Sequence, residues 1–149
     1  MILADPPWRY GNTAARGALD YQTLTVREIA ELPVGSLCRR DGRGTLLLLW
    51  STGAHLVSGD ALRVLRAWGF EPKQVGGWVK VRNGFVGSEE EGLGSEPLGE
   101  LAERGLSSAL RIGSGNYLRN CFEPLILAVR GRVEIRDRSI PSVLFGERA

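Results

Sequence analysis

Residues 45–50 read TLLLLW, an uninterrupted apolar run that follows a glycine-containing connector. This pattern is typical of a strand covered on both faces, as in a parallel sheet. The stretch HLVSGDALRVLRAWGF, residues 55–70, has apolar residues at helical spacing and a glycine, Gly69, placed to end the helix. Residues 1–4 (MILA) and 74–81 (QVGGWVKV) read as strands on either side. Strands that alternate with helices predict an α/β fold.

The remaining segments complete this outline. TVRE, residues 25–28, has the spacing of a capping box and predicts a short helix that ends before Pro33. The glycine-rich residues 83–115 predict a long, mobile insertion loop, and GSGN at 113–116 predicts a turn into the fourth strand. Residues 121–131 predict that strand, and residues 133–137 (VEIRD) a short fifth strand at an edge. We expect a single domain over residues 1–149.

The basic residues are almost all arginine. The chain has 17 Arg but only Lys73 and Lys80, within a net charge of +2. Arginine suits phosphate because its fork of N–H donors binds two oxygens at once. Several arginines fall in predicted loops and either line a path for nucleic acid or provide scattered solubilising charge. They are Arg9, Arg16, Arg39, Arg40 and Arg43.

Composition argues against several other classes of protein. Cys38 and Cys121 stand alone, as is usual for reduced thiols in a cytoplasmic protein. His55 is the single histidine, which excludes a histidine-rich metal site, and we expect no metal. It is predicted on the first turn of the helix after β-strand residues 45–50, exposed to solvent. No signal peptide or membrane-spanning segment is recognised, so no membrane partner is expected.

The stretch ADPPW, residues 4–8, follows the first predicted strand at the sheet edge where α/β proteins bind ligands. A residue before proline is restricted to extended geometry, so Asp5 and the Pro6 carbonyl are held stiffly. A carboxylate and a carbonyl together match the two hydrogens of an exocyclic amine on a planar base. Trp8 is predicted at the pocket rim, where it, or an aromatic residue of a facing loop, stacks on the base.

An ordered series of segments resembles the adenine-N6 methyltransferase family that includes the mRNA adenosine methyltransferase and bacterial and phage DNA enzymes. The resemblance runs from Ile2 to about Val143. It comprises ADPPW followed by RY, then YQTLTVREIAELPV, LLLWSTGAHL, LRAWGFEP, GGWVKV and GSGNYLRNCFEPLILAVRG. It implies an S-adenosyl-L-methionine-dependent enzyme with a Rossmann-like sheet, here incomplete, and an antiparallel strand pair near the C-terminus. The acceptor is an adenine of DNA or RNA that is flipped out or single-stranded.

The resemblance also implies roles for individual residues. Asp5 and Pro6 orient the target amine and contact the cofactor, while Pro7 and Trp8 shape the pocket. Tyr21 corresponds to a base-contacting tyrosine. The remaining substrate-side positions are Trp78 and Lys80 in the WVK segment, and Asn120 and Glu123 in the RN..E segment.

One part of the family pattern is not found. Relatives continue past a stretch like SVLFGERA into segments that supply much of the S-adenosylmethionine pocket, whereas this sequence ends at Ala149. We therefore expect a target-binding half that lacks most of the cofactor half. The alternatives are a non-catalytic nucleic-acid-binding or scaffold subunit and one half of a split enzyme. A homodimer or a partner subunit would then supply the missing part.

Overall fold

The computed structural model describes residues 1–9, 21–82, 110–113 and 117–147. Most of the predicted insertion at 83–115, and residues 114–116 of the predicted turn, lie outside these ranges. The described chain forms a mixed α/β structure. Its elements are β1 (Ile2–Ala4), α1 (Val26–Ala30), a 3-10 turn (Val34–Leu37), β2 (Thr45–Trp50), α2 (Gly53–Val57), α3 (Asp60–Ala67), β3 (Glu71–Val81), β4 (Phe122–Arg130) and β5 (Val143–Glu147).

The described strands form an open sheet in the order β1-β2-β4-β3-β5. β1 runs parallel to β2, and β2 runs antiparallel to β4. This mixed α/β sheet confirms the predicted fold class of a partial Rossmann-like methyltransferase sheet. The chain divides into two compact units, one comprising Met1–Gly76 and Pro124–Ile140, the other Gly77–Glu123 and Pro141–Ala149. β3 and β4 each run through both units.

The core of the first unit lies where the helices cover β2 and β4. Alternate residues of β2 are buried and the residues between them are half-buried, so one face is covered more fully than the two-sided burial that its apolar run predicts. α3 contributes a buried face to this core. The indole nitrogen of Trp68 donates a buried hydrogen bond of 3.0 Å to the Ile29 carbonyl, which ties the end of α3 to α1. The fully or almost fully buried members include Ile29, Leu47, Leu49, Val64, Leu65 and Ile126.

The helices follow local signals with one exception. The capping box of α1 is present: the Thr25 hydroxyl accepts from the Glu28 N–H at 3.2 Å, and the Glu28 carboxylate accepts from the Thr25 N–H at 2.7 Å. Residues 55–70, predicted as one helix, are two helices. The helical conformation is interrupted at Gly59, whose φ of 79° lies in the left-handed region that glycine tolerates.

In the second unit, the end of β3 pairs in parallel with β5, from Gly77 opposite Val143 to Val81 opposite Glu147. The predicted fifth strand at residues 133–137 is therefore wrong. Val133 is half-buried, but residues 134–137 are all exposed, so the alternating apolar residues Val133 and Ile135 do not pack against a neighbouring strand. Residues 143–147 form the fifth strand instead.

Candidate active site

The D-P-P-W segment leaves the carboxyl end of β1, where Ala4 pairs with Leu49 of β2. Asp5 is exposed at this edge, whereas Pro6 is buried and Pro7 is half-buried. The Pro6 carbonyl accepts the Trp8 N–H at 2.8 Å, which closes a tight turn. The Pro7 carbonyl accepts the Leu24 N–H at 2.8 Å, so a second segment braces the turn. The motif is thus a rigid loop that presents an acid.

Trp8 lies in the core rather than at the predicted rim. Its side chain is only 4% exposed, and its indole nitrogen donates to the Trp50 carbonyl at 3.0 Å. The polar residues after Trp8 suggested a rim position, but they do not decide where the indole lies. A backbone acceptor at the end of β2 lets the ring be buried with its N–H satisfied. Trp8 therefore anchors the loop to the neighbouring strand.

His55 packs on the other side of this anchor. It lies on the first turn of α2 as predicted, but its side chain is 14% exposed rather than solvated. The imidazole stacks on Trp8 with ring centroids 4.8 Å apart and planes 28° apart. Nε2 lies 3.1 Å from the Arg9 carbonyl and Nδ1 lies 3.4 Å from an Asp60 oxygen. Both partners are acceptors, so the imidazolium form is able to donate to both.

Asp60 completes this network at the start of α3. Its carboxylate accepts from the Ser58 hydroxyl at 2.7 Å and from Arg63 at 3.2 Å. The Ser58 hydrogen bond, followed by His55 and Arg63, lowers the pKa of Asp60. This network of hydrogen bonds was not predicted from the sequence. Its usable signal was the position of His55, one turn after the carboxyl end of β2.

A second group of predicted residues meets in the second unit. Lys80 on β3 forms an ion pair with Glu123, and its ammonium lies 5.6 Å from the centre of the Trp78 ring. The Lys80 side chain is 14% exposed, so the carboxylate compensates a largely buried charge. The Trp78 indole donates to the Gly146 carbonyl at 3.0 Å. Trp78, Lys80 and Glu123 therefore form one cluster of aromatic, cationic and anionic groups.

Two other predicted residues lie on the surface. Asn120 is exposed, and its side-chain oxygen accepts from the Phe122 N–H at 3.2 Å, which caps the start of β4. Tyr21, in the first unit, is 55% exposed. The predicted base contact of Tyr21 and the predicted substrate contacts of Asn120 remain predictions. Arg16, one of the loop arginines, lies outside the described residues.

The described residues hold no group of three or more His, Cys, Asp or Glu side chains arranged as metal ligands. Within the same ranges, no helix has the length and apolar character needed to cross a bilayer. A shallow depression of the first unit is lined by Leu62, Arg66, Phe70 and Pro72 and contains none of the predicted site residues.

Two comparisons with known proteins found similarity to this chain. A Type II methyltransferase, M.MunI of a Mycoplasma species, is 27% identical to this chain over 95 aligned residues. The alignment covers 50% of this chain and 39% of that protein, so the chain spans well under half of the relative's length. The MT-A70 family model matches residues 1–91, more than half of the chain, including the D-P-P-W loop, α1 to α3 and β3. The chain belongs to the MT-A70 family.

Proposed function

We propose that this chain is a methyltransferase that acts on the exocyclic N6 amine of adenine in nucleic acid. The observation that carries the proposal is the D-P-P-W loop, which presents an exposed carboxylate at the carboxyl end of β1 on a braced backbone. An amine has two hydrogens to donate, and Asp5 and the Pro6 carbonyl are two acceptors on adjacent residues. Family membership and the similarity to a Type II methyltransferase support this reaction class.

The proposed role of the loop is to orient the amine and to stabilise charge. The Pro6 carbonyl already accepts the Trp8 N–H, and its second lone pair is able to accept one amine hydrogen. The Asp5 carboxylate accepts the other. As the nitrogen gains a bond to carbon it becomes positive, and the fixed negative charge of Asp5 stabilises it. The nitrogen then loses a proton, so no base is required before attack.

S-adenosyl-L-methionine is the proposed methyl donor. The groups at the end of β1 fit it in their chemistry: a carboxylate and backbone carbonyls suit the ammonium and sulfonium charges of that molecule. Asp5 and Pro6 are the residues proposed to contact it. When bound, the cofactor supplies an electrophilic methyl group and a neutral thioether as leaving group.

The acceptor adenine must leave its base stack to reach the loop, because an amine inside a duplex is not accessible. We propose Tyr21, Trp78, Lys80, Asn120 and Glu123 as contacts to the acceptor nucleotide. Trp78 and Tyr21 offer aromatic faces, and stacking on one base contributes ~1–3 kcal/mol. Pro7 and Trp8 act indirectly, because Trp8 is buried and holds the loop against β2.

The test is methyl transfer from radiolabelled S-adenosylmethionine to DNA and RNA oligonucleotides. A matched oligonucleotide in which purine without the amine replaces adenine should accept no label. Asp5→Ala should lower the rate by a factor of about 10²–10³, the usual effect of removing one charge-stabilising group. Glu31→Gln removes an exposed acid at the C-cap of α1. This variant is the matched control and should leave the rate unchanged. Near-normal transfer by a folded Asp5→Ala variant would contradict the mechanism.

A non-catalytic nucleic-acid-binding or scaffold subunit is the alternative. It predicts that the chain binds oligonucleotides but gives no heat when titrated calorimetrically with S-adenosylmethionine. A chain that binds cofactor only after a second polypeptide is added, or only as a dimer, would support a split site. Titrations at several protein concentrations separate these outcomes.

A further inference from the structure

Two short arginine-rich segments of the first unit meet at Gly44 and Arg132. They are residues 39–44 (RRDGRG) and 130–138 (RGRVEIRDR). The Gly44 N–H donates to the Arg132 carbonyl at 2.9 Å. A Cβ added at Gly44 would lie 2.5 Å from the Arg132 carbonyl carbon, so the close approach requires glycine. We call this pair of segments the arginine surface.

The charge of this surface differs from that of the rest of the chain. Its two segments hold seven arginines and three acidic residues, which gives a net charge of +4. Because the whole chain carries only +2, all other residues together carry a net charge of −2. Fifteen residues therefore hold all of the excess positive charge, which scattered solubilising charge would not do.

Most of these guanidinium groups form no ion pair with another described residue. Arg39 pairs with Asp41 and lowers the pKa of that carboxyl to about 2, and Arg130 donates to the Gly35 carbonyl at 3.3 Å. The other five are exposed and form no ion pair with another described residue. They are Arg40, Arg43, Arg132, Arg136 and Arg138.

The strand register gives the distance between this surface and the D-P-P-W loop. Thr45, at the start of β2, pairs with Arg130, and Trp50, at its other end, pairs with Leu125. The arginine surface adjoins the Thr45 end, while the D-P-P-W loop adjoins the Trp50 end. Five residue steps of about 3.3 Å give a separation of roughly 17 Å. Phosphates of one strand follow at about 3.4 Å per nucleotide along a duplex, so roughly five nucleotides span it.

We propose that the arginine surface binds the phosphodiester backbone of the nucleic-acid substrate, about five nucleotides of duplex away from the acceptor adenine. Exposed arginines match phosphate because their donors bind two oxygens at once. The choice of nucleic acid as the partner of this surface rests on the proposed function. The surface adds substrate affinity that does not depend on the sequence around the adenine.

The test compares two variants with the same net charge. Arg43→Gln with Arg132→Gln removes one arginine from each segment of the surface. Arg27→Gln with Arg66→Gln removes two exposed arginines from α1 and α3. Fluorescence anisotropy with labelled 20-nucleotide DNA and RNA, without cofactor, gives binding constants over a range of salt concentrations. The double variant at Arg43 and Arg132 should reduce the slope of log K against log salt by about 2 on duplex and about 1.4 on single strands. The double variant at Arg27 and Arg66 should leave this slope unchanged.

Length provides a second readout. A 5-nucleotide oligonucleotide with a central adenine is too short to reach the arginine surface. The double variant at Arg43 and Arg132 should therefore bind it with the same affinity as the unmodified chain. Equal salt slopes for both pairs on the long oligonucleotides would overturn the proposal. So would tighter binding to heparin or to vesicles of anionic phospholipid than to either nucleic acid.

Binding and transfer separate the two proposals. If the chain binds nucleic acid through the arginine surface but transfers no methyl group, the proposal for the arginine surface is supported and the proposed enzyme activity is rejected. Normal transfer with unchanged binding by the Arg43 and Arg132 variant would do the reverse.

Discussion

Replacing His55 tests whether the D-P-P-W loop is held by contacts distant in sequence. The imidazole stacks on Trp8 and lies within hydrogen-bond distance of the Arg9 carbonyl, so it contacts the last residue of the motif and the residue after it. His55→Ala removes the ring and both polar contacts. His55→Phe keeps an aromatic ring for stacking and removes only the polar contacts.

The structure gives the size of the expected effect. An aromatic stack contributes about 0.5–1.5 kcal/mol beyond burial, and a hydrogen bond to a carbonyl contributes about 1 kcal/mol net. The contact to Asp60 adds little, because it is 3.4 Å long. His55→Ala should therefore lower the free energy of unfolding by about 1.5–2.5 kcal/mol, and His55→Phe by about 1 kcal/mol.

Urea unfolding followed by circular dichroism measures these differences by linear extrapolation. Val57→Ala is the control, because Val57 lies on the same helix and is 90% exposed. We expect it to change the free energy of unfolding by less than about 0.5 kcal/mol. The reasoning is refuted if His55→Ala is no more destabilising than this control, or if the Phe and Ala variants are equally destabilised.

Three further predictions concern packing and pH. Gly77→Ala should destabilise the chain markedly on urea unfolding, because its Cβ would lie 2.6 Å from the backbone carbonyl oxygen of Glu123 on the neighbouring strand, whereas Gly53→Ala, with open space around it, should be neutral or stabilising. Trp68→Phe should lower the free energy of unfolding by about 0.5–1.5 kcal/mol in the same assay through the lost indole hydrogen bond, because the Ile29 carbonyl keeps the Leu32 N–H, 3.1 Å away, as a donor. Folding lowers the pKa of Asp60, so its contribution is present above the ordinary carboxyl pKa and is lost as pH falls through the lowered value. Asp60→Asn should therefore flatten the acid limb of a stability-against-pH curve, and an unchanged limb would contradict this assignment.

Short sequence patterns correctly predicted the helices and strands whose position depends on neighbouring residues in the sequence. TVRE became the capped start of α1, and TLLLLW became β2 with the same bounds. The helix after β2 was predicted as one because the apolar spacing continues across Gly59, although the backbone turns there. Residues 133–137 alternate like a strand, but alternation does not show whether a neighbouring strand is available. The first difference arises from a glycine inside the segment, and the second arises because the decisive contact, a neighbouring strand, lies outside it.

The site shows the same division between local and distant determinants. Two prolines predict that the loop after β1 is stiff, and the short hydrogen bond from Trp8 to Pro6 agrees. Stiffness alone does not determine the direction in which an acid points. That direction depends on where the whole loop is attached, through Trp8 to the end of β2 and through its ring to His55. Because β1 and β2 are parallel neighbours, both attachments lie at the edge where Asp5 emerges. The tryptophan of the motif is therefore required as an anchor, which explains how a residue predicted to contact a base is instead buried beneath the loop that presents the acid.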